Sequence, residues 1–471
     1  MNRSLWLLCA VLLFFNVSVE SKAWSSPARG SGPIYDGPEL DYQPSIIRVD
    51  PSGDLMLVFE RIDLASFFGD LHVCFSSDNG QTWTAPQPII DTTLNERHPA
   101  LIQLGTNSYA LFYLVDETGS GSYRIHRATS SDGLSWTSHG AVDLGWPSSG
   151  EINPDVLVEA DGTLIMSYQR LSNPVYVARS FDSGATWDRL KTQVSNGTAA
   201  LPRIAKRESD GVYLVTYQTG SSSVDIWSKA TTDPYVWPGT ATPFSTAINS
   251  HDPQPIVLEG GTFLVTYAQQ VASVFDVHYR TSYDGETWSN EVRVTDDVTH
   301  YDTQPHPLLR GTPGHVILAW SHQESSSPYV DHDVWVDDDL AIALPLWLDV
   351  DTISASGGGI VTFSIEAGPN YGGRNYLLAA SRSGTSPGTT LPGGATIPLN
   401  RDTVTDYLLA HLNNWAFVDF WGTLDSGGKA TATLNWPYPL SMAVGTILNF
   451  AYTTAGPYDF QSNPVGVAVV P

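Results

Sequence analysis

Cysteine is almost absent: Cys9 and Cys74 are the only two in the 471-residue chain. A disulfide framework is thereby excluded, and a folded domain must be held by its core rather than by covalent staples. Cys74 sits in an apolar run and reads as a small buried hydrophobe. Lysine is equally scarce, confined to Lys22, Lys191, Lys206, Lys229 and Lys429, and 49 acidic residues against 23 basic ones leave a net charge of −26. Nucleic acid and anionic membranes both require basic patches, so neither is expected as a partner. An anionic ligand would need a local arginine cluster working against the overall field. Long hydrophobic runs are missing beyond the first residues. There, Arg3 precedes the apolar run Leu5 to Phe15, and Ser21-Lys22-Ala23 supplies small residues. This reads as an export signal over residues 1–23, too short for a comfortable membrane span. Cys9 follows Leu8 rather than a small residue, which argues against a lipid anchor. The expectation is a secreted or periplasmic monomer with no membrane insertion after cleavage.

What the chain does have is a repeat. Ser76-Ser77-Asp78-Asn79-Gly80-Gln81-Thr82-Trp83 returns as Ser180-Phe181-Asp182-Ser183-Gly184-Ala185-Thr186-Trp187. Forms one residue shorter run from Ser130 to Trp136 and from Ser282 to Trp288, and a worn copy runs from Thr231 to Trp237. The closing residues Trp83, Trp136, Trp187, Trp237 and Trp288 are 53, 51, 50 and 51 residues apart. A fixed period of this size marks one supersecondary unit used repeatedly, and for β-rich units a propeller leads. The motif has turn chemistry. Asp accepts backbone N–H bonds just ahead of it, Gly supplies positive φ, and Trp buries a large ring where units meet.

A second pattern sets the count. Proline opens an apolar strand at Gln43-Pro44, His98-Pro99, Asn153-Pro154, Leu201-Pro202, Asp252-Pro253 and Gln304-Pro305, which makes six strand starts. Each is followed by further β-rich runs, so four strands per period predict an all-β, six-bladed β-propeller over residues 30–348. The last unit, around Asp331 to Val336, has lost the turn motif, and the segment before Tyr42 is expected to add a strand to it, since an open edge is a liability. Near Leu348 the rhythm stops. Residues 350–471 alternate in β fashion and read as a small β-sandwich-like accessory domain, with a helix from Asp402 to Leu412 capped by Asp402. The aromatics Trp415, Phe417, Phe420, Trp421 and Trp436 read as core rather than as a sugar-stacking surface.

The repeats resemble the Asp-box, or bacterial neuraminidase, repeats of the sialidase superfamily, over about residues 40 to 345. The resemblance implies a propeller whose boxes lie on the rim away from the site. It also implies an acid/base aspartate before the first box, where Asp70 and Asp63 stand. Its glutamate position falls at Asn153, with Glu151 two residues earlier, its second arginine near Gln169 and Arg170, and its tyrosine nucleophile at Tyr301. The arginine that the family carries at the first strand start is replaced by Gln43.

The polar residues recurring at the strand starts form the candidate site, because propellers bind ligands near the axis. A pair of carboxyls across a glycosidic bond is the chemistry this pattern allows, one acting as acid and one as base or nucleophile. Asp70, Glu151, Asp252 and Asp302 are the candidate carboxyls, with Tyr301 beside them. Arg97, His98, Asn153, Arg203, His251 and Gln254 are the candidate substrate-binding residues. No metal-ligand spacing is present and no cofactor is expected. Two readings follow: a sialidase-like glycoside hydrolase acting on a glycan or polysaccharide, and a non-catalytic propeller that binds glycan or protein.

Overall fold

The computed structural model describes residues 31–471 apart from 148–149, 172–173, 209, 221–222, 245–248, 287, 297–298, 313, 324–330, 386 and 437–443. The expected export signal lies outside the described residues. The architecture is nearly all-β, with one short α-helix, Thr403–Ala410.

Six antiparallel sheets follow one another along the chain, the first and the sixth joined into one eight-stranded sheet by the parallel pairing of Leu40 with His332. Their first strands are Leu40–Arg48, Asn95–Gly105, Glu151–Val158, Ala200–Arg207, Ser250–Val257 and Asp302–Leu309. In the first five sheets three further strands pair outward in sequence order, as with Leu55–Ile62, Gly69–Ser76 and Gln87–Ile90 in the first. In the sixth, the strand His332–Ala341 takes its outer partner from the other end of the chain, where Gly32 pairs with Val336 and Pro33 with Trp335. The segment before Tyr42 thus covers an edge that would otherwise present unpaired backbone groups. Each first strand packs against the next, and Asp302–Leu309 packs against Leu40–Arg48.

The repeated motif builds one turn several times over. In the first copy Gly80 N donates to Ser76 Oγ (2.9 Å), Thr82 N donates to Asp78 Oδ1 (2.8 Å), and the Trp83 indole donates to Gly80 O (3.0 Å). The same indole bond recurs from Trp136 to Gly133 O (2.9 Å), from Trp187 to Gly184 O (3.1 Å) and from Trp237 to Pro234 O (2.9 Å). Glycine is required twice over at the third copy. Gly184 has φ of 86°, and a Cβ there would stand 2.7 Å from the Phe112 ring of the preceding sheet. Trp187 meets the same Phe112 edge-on at 5.6 Å between ring centroids. The motif therefore folds its own turn and docks that turn on the neighbouring sheet.

The strand starts share a second device. Every first strand carries a bulge in which a non-glycine residue with φ of 47–56° precedes proline: Gln43, His98, Asn153, Leu201, Asp252 and Gln304. In the first sheet the pairing steps from Tyr42↔Glu60 to Ser45↔Val58, so Gln43 and Pro44 together face Phe59. Proline has no ladder donor to lose at a bulge, and the bulge turns the preceding side chain out of the sheet. The freed N–H is taken by the preceding sheet. Gln43 N donates to Gln304 Oε1 (3.0 Å), His98 N to Glu60 Oε2 (2.9 Å), Leu201 N to Gln169 Oε1 (3.4 Å) and Asp252 N to Gln218 Oε1 (3.1 Å).

Beyond Leu344 two sheets of four and five strands share one core, in which Val361, Phe363, Tyr376, Leu378, Phe420, Phe450 and Tyr452 are buried. The helix between them is capped reciprocally, with the Asp402 carboxylate accepting from Val404 N and Thr405 N. Leu408 is fully buried, whereas Leu409 points outward. Phe417 and Phe420 are core, and Trp415 is exposed. These sheets meet the fifth repeat through Tyr283, whose hydroxyl donates to Asn449 Oδ1 (3.0 Å), and through Gly466 N on Gly260 O (3.2 Å).

Candidate functional site

The bulges fix where the polar side chains gather. Two residues past each bulge stand Ser45, Ala100, Asp155, Arg203, Gln254 and His306. Ser45, Asp155, Gln254 and His306 line a cavity of about 360 Å³ that continues over Ile47, Ile102, Val158 and Leu308. Ser45 Oγ accepts from Leu101 N (3.0 Å) and Asp155 Oδ2 from Ile204 N (2.7 Å), so these side chains also tie each sheet to the next. The charge of Arg203 is felt by four neighbours. Burial first, then Arg203, holds His98 down to about 3 and His306 down to about 4, so both are neutral imidazoles at physiological pH. Burial raises the carboxyls of Asp155 and Asp252, and Arg203 opposes it at both. Asp252 also accepts the backbone N–H of Gln304 and sits beside His251. Of the residues expected from sequence, His98, Arg203, Asp252, His251 and Gln254 are thus brought together, joined by Asp155 and His306.

Two residues before each bulge lies a second set, buried in four sheets as Asp41, Glu96, Glu151 and Asp302. Three of these carboxyls are answered by a basic residue directly across the ladder. Asp41 faces Arg61 and accepts two bonds of 2.7 Å from it. Glu151 faces Arg170 at 3.3 Å, with Arg124 at 4.0 Å. Asp302 faces His322, which donates at 2.6 Å, and also accepts from the Trp320 indole at 2.8 Å. Glu151 and Asp302, both expected from sequence as catalytic carboxyls, are thereby held within their own sheets. Asn153 is likewise bound inside its sheet, through its amide to Gln169 Oε1 (2.7 Å).

Glu96 is the exception. It faces Val115, and among the described residues no salt bridge reaches it. The Thr92 hydroxyl donates to Oε1 (2.5 Å), while Oε2 is buried without a partner. Burial, with Asp70 and Asp91 adding to it, raises the Glu96 carboxyl to about 7. Asp70, the second residue of the strand Gly69–Ser76, is partly exposed, and burial followed by the Asp91 charge raises it to about 6. Thr92 joins the pair, its N–H on Asp70 and its hydroxyl on Glu96. Sequence alone does not single out Glu96 among the polar residues of the strand starts. The signal that singles it out, an apolar residue across the ladder, requires the register.

Arg97 and Tyr301 stand at the rim. Arg97 donates to Asn95 Oδ1 (2.8 Å) and to Phe67 O (2.9 Å), bracing the loop that leads to Asp70. Tyr301 is exposed, beside Phe275, with its hydroxyl on Ser273 O (3.0 Å). Among the described residues no group of three or more His, Cys, Asp or Glu side chains is placed to hold a metal ion.

The pattern of the BNR repeat-like domain family matches residues 13–223. No curated protein matches the chain. Among solved structures, a Dyadobacter fermentans protein of unknown function is similar at TM-score 0.55 and 14% identity, over 66% of this chain and 98% of that one. The K499G mutant of the NanB sialidase from Streptococcus pneumoniae is similar at 0.53 and 12%, over 67% and 71%. The Penicillium chrysogenum α-L-arabinanase complexed with arabinobiose is similar at 0.51 and 17%, over 65% and 97%. At such identities the likeness is one of fold. The repeated turn, the sheets that recur with it and this family match make the chain similar to BNR-repeat, sialidase-like β-propeller proteins.

Proposed function

We propose that the six sheets are the blades of a closed six-bladed propeller over about residues 30–348, followed by a sandwich-like accessory unit over 350–471. We propose further that the exported protein is a glycoside hydrolase acting on glycan where the six strand starts converge. The observation that carries this reading is the set of polar side chains around Arg203, together with a carboxyl, Asp70, that burial and Asp91 raise to about 6. An acid that keeps its proton in mildly acidic solution and a second carboxyl, Asp252, are the parts that glycosidic cleavage needs. Asp70 gives its proton to the leaving oxygen, and Asp252 supports water or the sugar cation from the other side. Two of the similar structures are a sialidase and an arabinanase, which favours a sugar as ligand.

The test is a turnover screen of the mature protein with Asp70→Asn and Asp252→Asn beside it, on chromogenic exo-glycosides and on plant and algal polysaccharides. Release of a sugar that drops by about 10²-fold or more in either variant is the expected result. Binding without product would favour the second reading, a non-catalytic glycan-binding propeller. That reading draws on the ion pairing of Asp41, Glu151 and Asp302 and on the absence of any carboxyl at Ala199-Ala200-Leu201 in the fourth sheet.

A further inference from the structure

The loop between Ile62 and Gly69 carries Leu64, Phe67 and Phe68 with their side chains 44%, 53% and 39% exposed. Three large apolar groups in so short a stretch would ordinarily fold inward, because each exposed apolar surface costs free energy. The loop is nonetheless firmly built. Asp63 Oδ1 accepts from Ala65 N (2.7 Å) and Ser66 N (2.8 Å), Asp63 N donates to Phe68 O (2.9 Å), and Phe67 N donates to Asp63 O (2.8 Å). Phe67 has φ of 58°, a conformation that a bulky residue rarely adopts. Arg97, one residue from the His98 bulge, holds it there through Phe67 O, and Gly69 N is fixed on Asn95 Oδ1 (2.8 Å). The second strand start therefore holds the two rings out beside Asp70.

We propose that Phe67 and Phe68 are the stacking platform of the site and that the ring they receive is an uncharged sugar. The inference rests on the glycan reading above and names its substrate class. The apolar C–H face of a sugar suits an aromatic face, and its hydroxyls are donors for carboxylates at the edge. The charges around the loop choose among sugars. Asp63, Asp70 and Asp91 cluster there, as the effects of Asp63 and Asp91 on the Asp70 carboxyl show. The cation at hand, Arg97, already has its Nε on Asn95 and one Nη on Phe67 O and lies close to the buried carboxyl of Glu60. A sugar carboxylate seated on these rings would meet like charge and no free guanidinium fork, which is the opposite of what an acidic sugar requires.

The test compares the mature full chain with Phe67→Ala, Phe68→Ala and Phe67→Tyr. Titration calorimetry and reducing-sugar release are read with arabino-, xylo- and manno-oligosaccharides, and with sialyllactose and oligogalacturonates as anionic probes. Wild type is expected to prefer an uncharged set, and each alanine variant to raise its Kd or KM by about tenfold with an unchanged melting temperature. Phe67→Tyr restores the wild-type value, which a merely structural role for Phe67 would not require. If wild type takes an uncharged oligosaccharide and both alanine variants match it, the platform is wrong while the site reading stands. A preference for the anionic probes overturns the substrate class. Sedimentation showing a dimer that the alanine variants dissolve would make the rings a self-association face instead. Silence of wild type on every probe overturns both this inference and the glycan reading beneath it.

Discussion

Glu96 stands directly across the ladder from Val115, at the position where Asp41 faces Arg61 and Glu151 faces Arg170. The same strand-start carboxyl is thus answered by a basic residue in some sheets and left without one here. Burial, with smaller contributions from Asp70 and Asp91, raises Glu96 from 4.5 to about 7 in the folded protein. Between those values the native state holds a proton that the unfolded chain has released. The stabilisation is complete below pH 4.5 and is lost as pH rises through 7. A shift of that size corresponds to roughly 3 kcal/mol. Glu96→Gln removes the dependence, so its stability relative to wild type should increase steadily from pH 4.5 to 7.5. Urea unfolding of both proteins across that range checks it, and parallel curves would refute it.

The ion-paired sheets make a separate prediction about charge pairing, since burial raises the Asp41 carboxyl too, to about 6, with Arg61 opposing it. Asp41 is 1% exposed and receives both of its bonds from Arg61. Arg61→Met leaves a buried carboxylate with no cation and is expected to cost about 3–5 kcal/mol. Adding Asp41→Asn removes the orphaned charge, and the double variant should recover more than half of the loss. Equilibrium denaturation of the two variants decides the matter. A double variant no better than Arg61→Met would mean that the arginine acts through packing against Tyr35 and Phe59 instead.

Much of this architecture was legible in the sequence because repetition amplifies weak signals. One Asp-Gly turn says little, but five copies ending in Trp at a near-constant spacing specify a period and a packing contact. Prolines at six equivalent points likewise located the strand starts, near which His98, Asp252 and Arg203 come together. The bulge was not legible, since nothing in Gln43-Pro44 or Leu201-Pro202 announces a left-handed residue before proline. The ion pairs were hidden for a related reason. Whether Glu151 or Asp302 is available depends on the residue across the ladder, and Arg170 and His322 lie 19 and 20 residues away in sequence. Glu96 is distinguished only by Val115. The loop rings were hidden too, because Phe67 and Phe68 in sequence alone resemble any apolar run.

The turn motif predicts an acid-sensitive contribution with no counterpart at the site. Bonds from the Thr82 hydroxyl and N–H and from Ser76 hold the Asp78 carboxyl down to about 2. A carboxyl lowered in this way stabilises the fold above its ordinary value near 4, and that contribution fades as pH falls toward 2. Asp78→Asn is expected to lower the melting temperature at pH 7, with the gap from wild type narrowing in acid. Sugar turnover should be unaffected, because the turn docks on a neighbouring sheet rather than lining the strand starts. Calorimetric scans at pH 7 and in acid, with one activity assay, check both halves.

The activity should carry its own pH signature. With burial and Asp91 raising Asp70 to about 6, the carboxyl is protonated and able to donate below that value and ionised above it. A reaction that needs Asp70 as acid therefore loses kcat/KM on the alkaline side, approaching about tenfold per pH unit once well past the midpoint. Asp91 lies beside Asp70 and is exposed, so Asp91→Asn removes part of the push without touching the acid itself. Its alkaline limb should move to lower pH while the plateau rate at low pH stays close to that of wild type. Asp70→Asn should abolish the limb together with the rate. Glu96 titrates in the same window and is coupled to Asp70, so the limb belongs to the pair rather than to one residue. The measurement is a kcat/KM profile from pH 4 to 9 for wild type and the two aspartate variants. A limb that stays in place in Asp91→Asn would assign the acid to a residue other than Asp70.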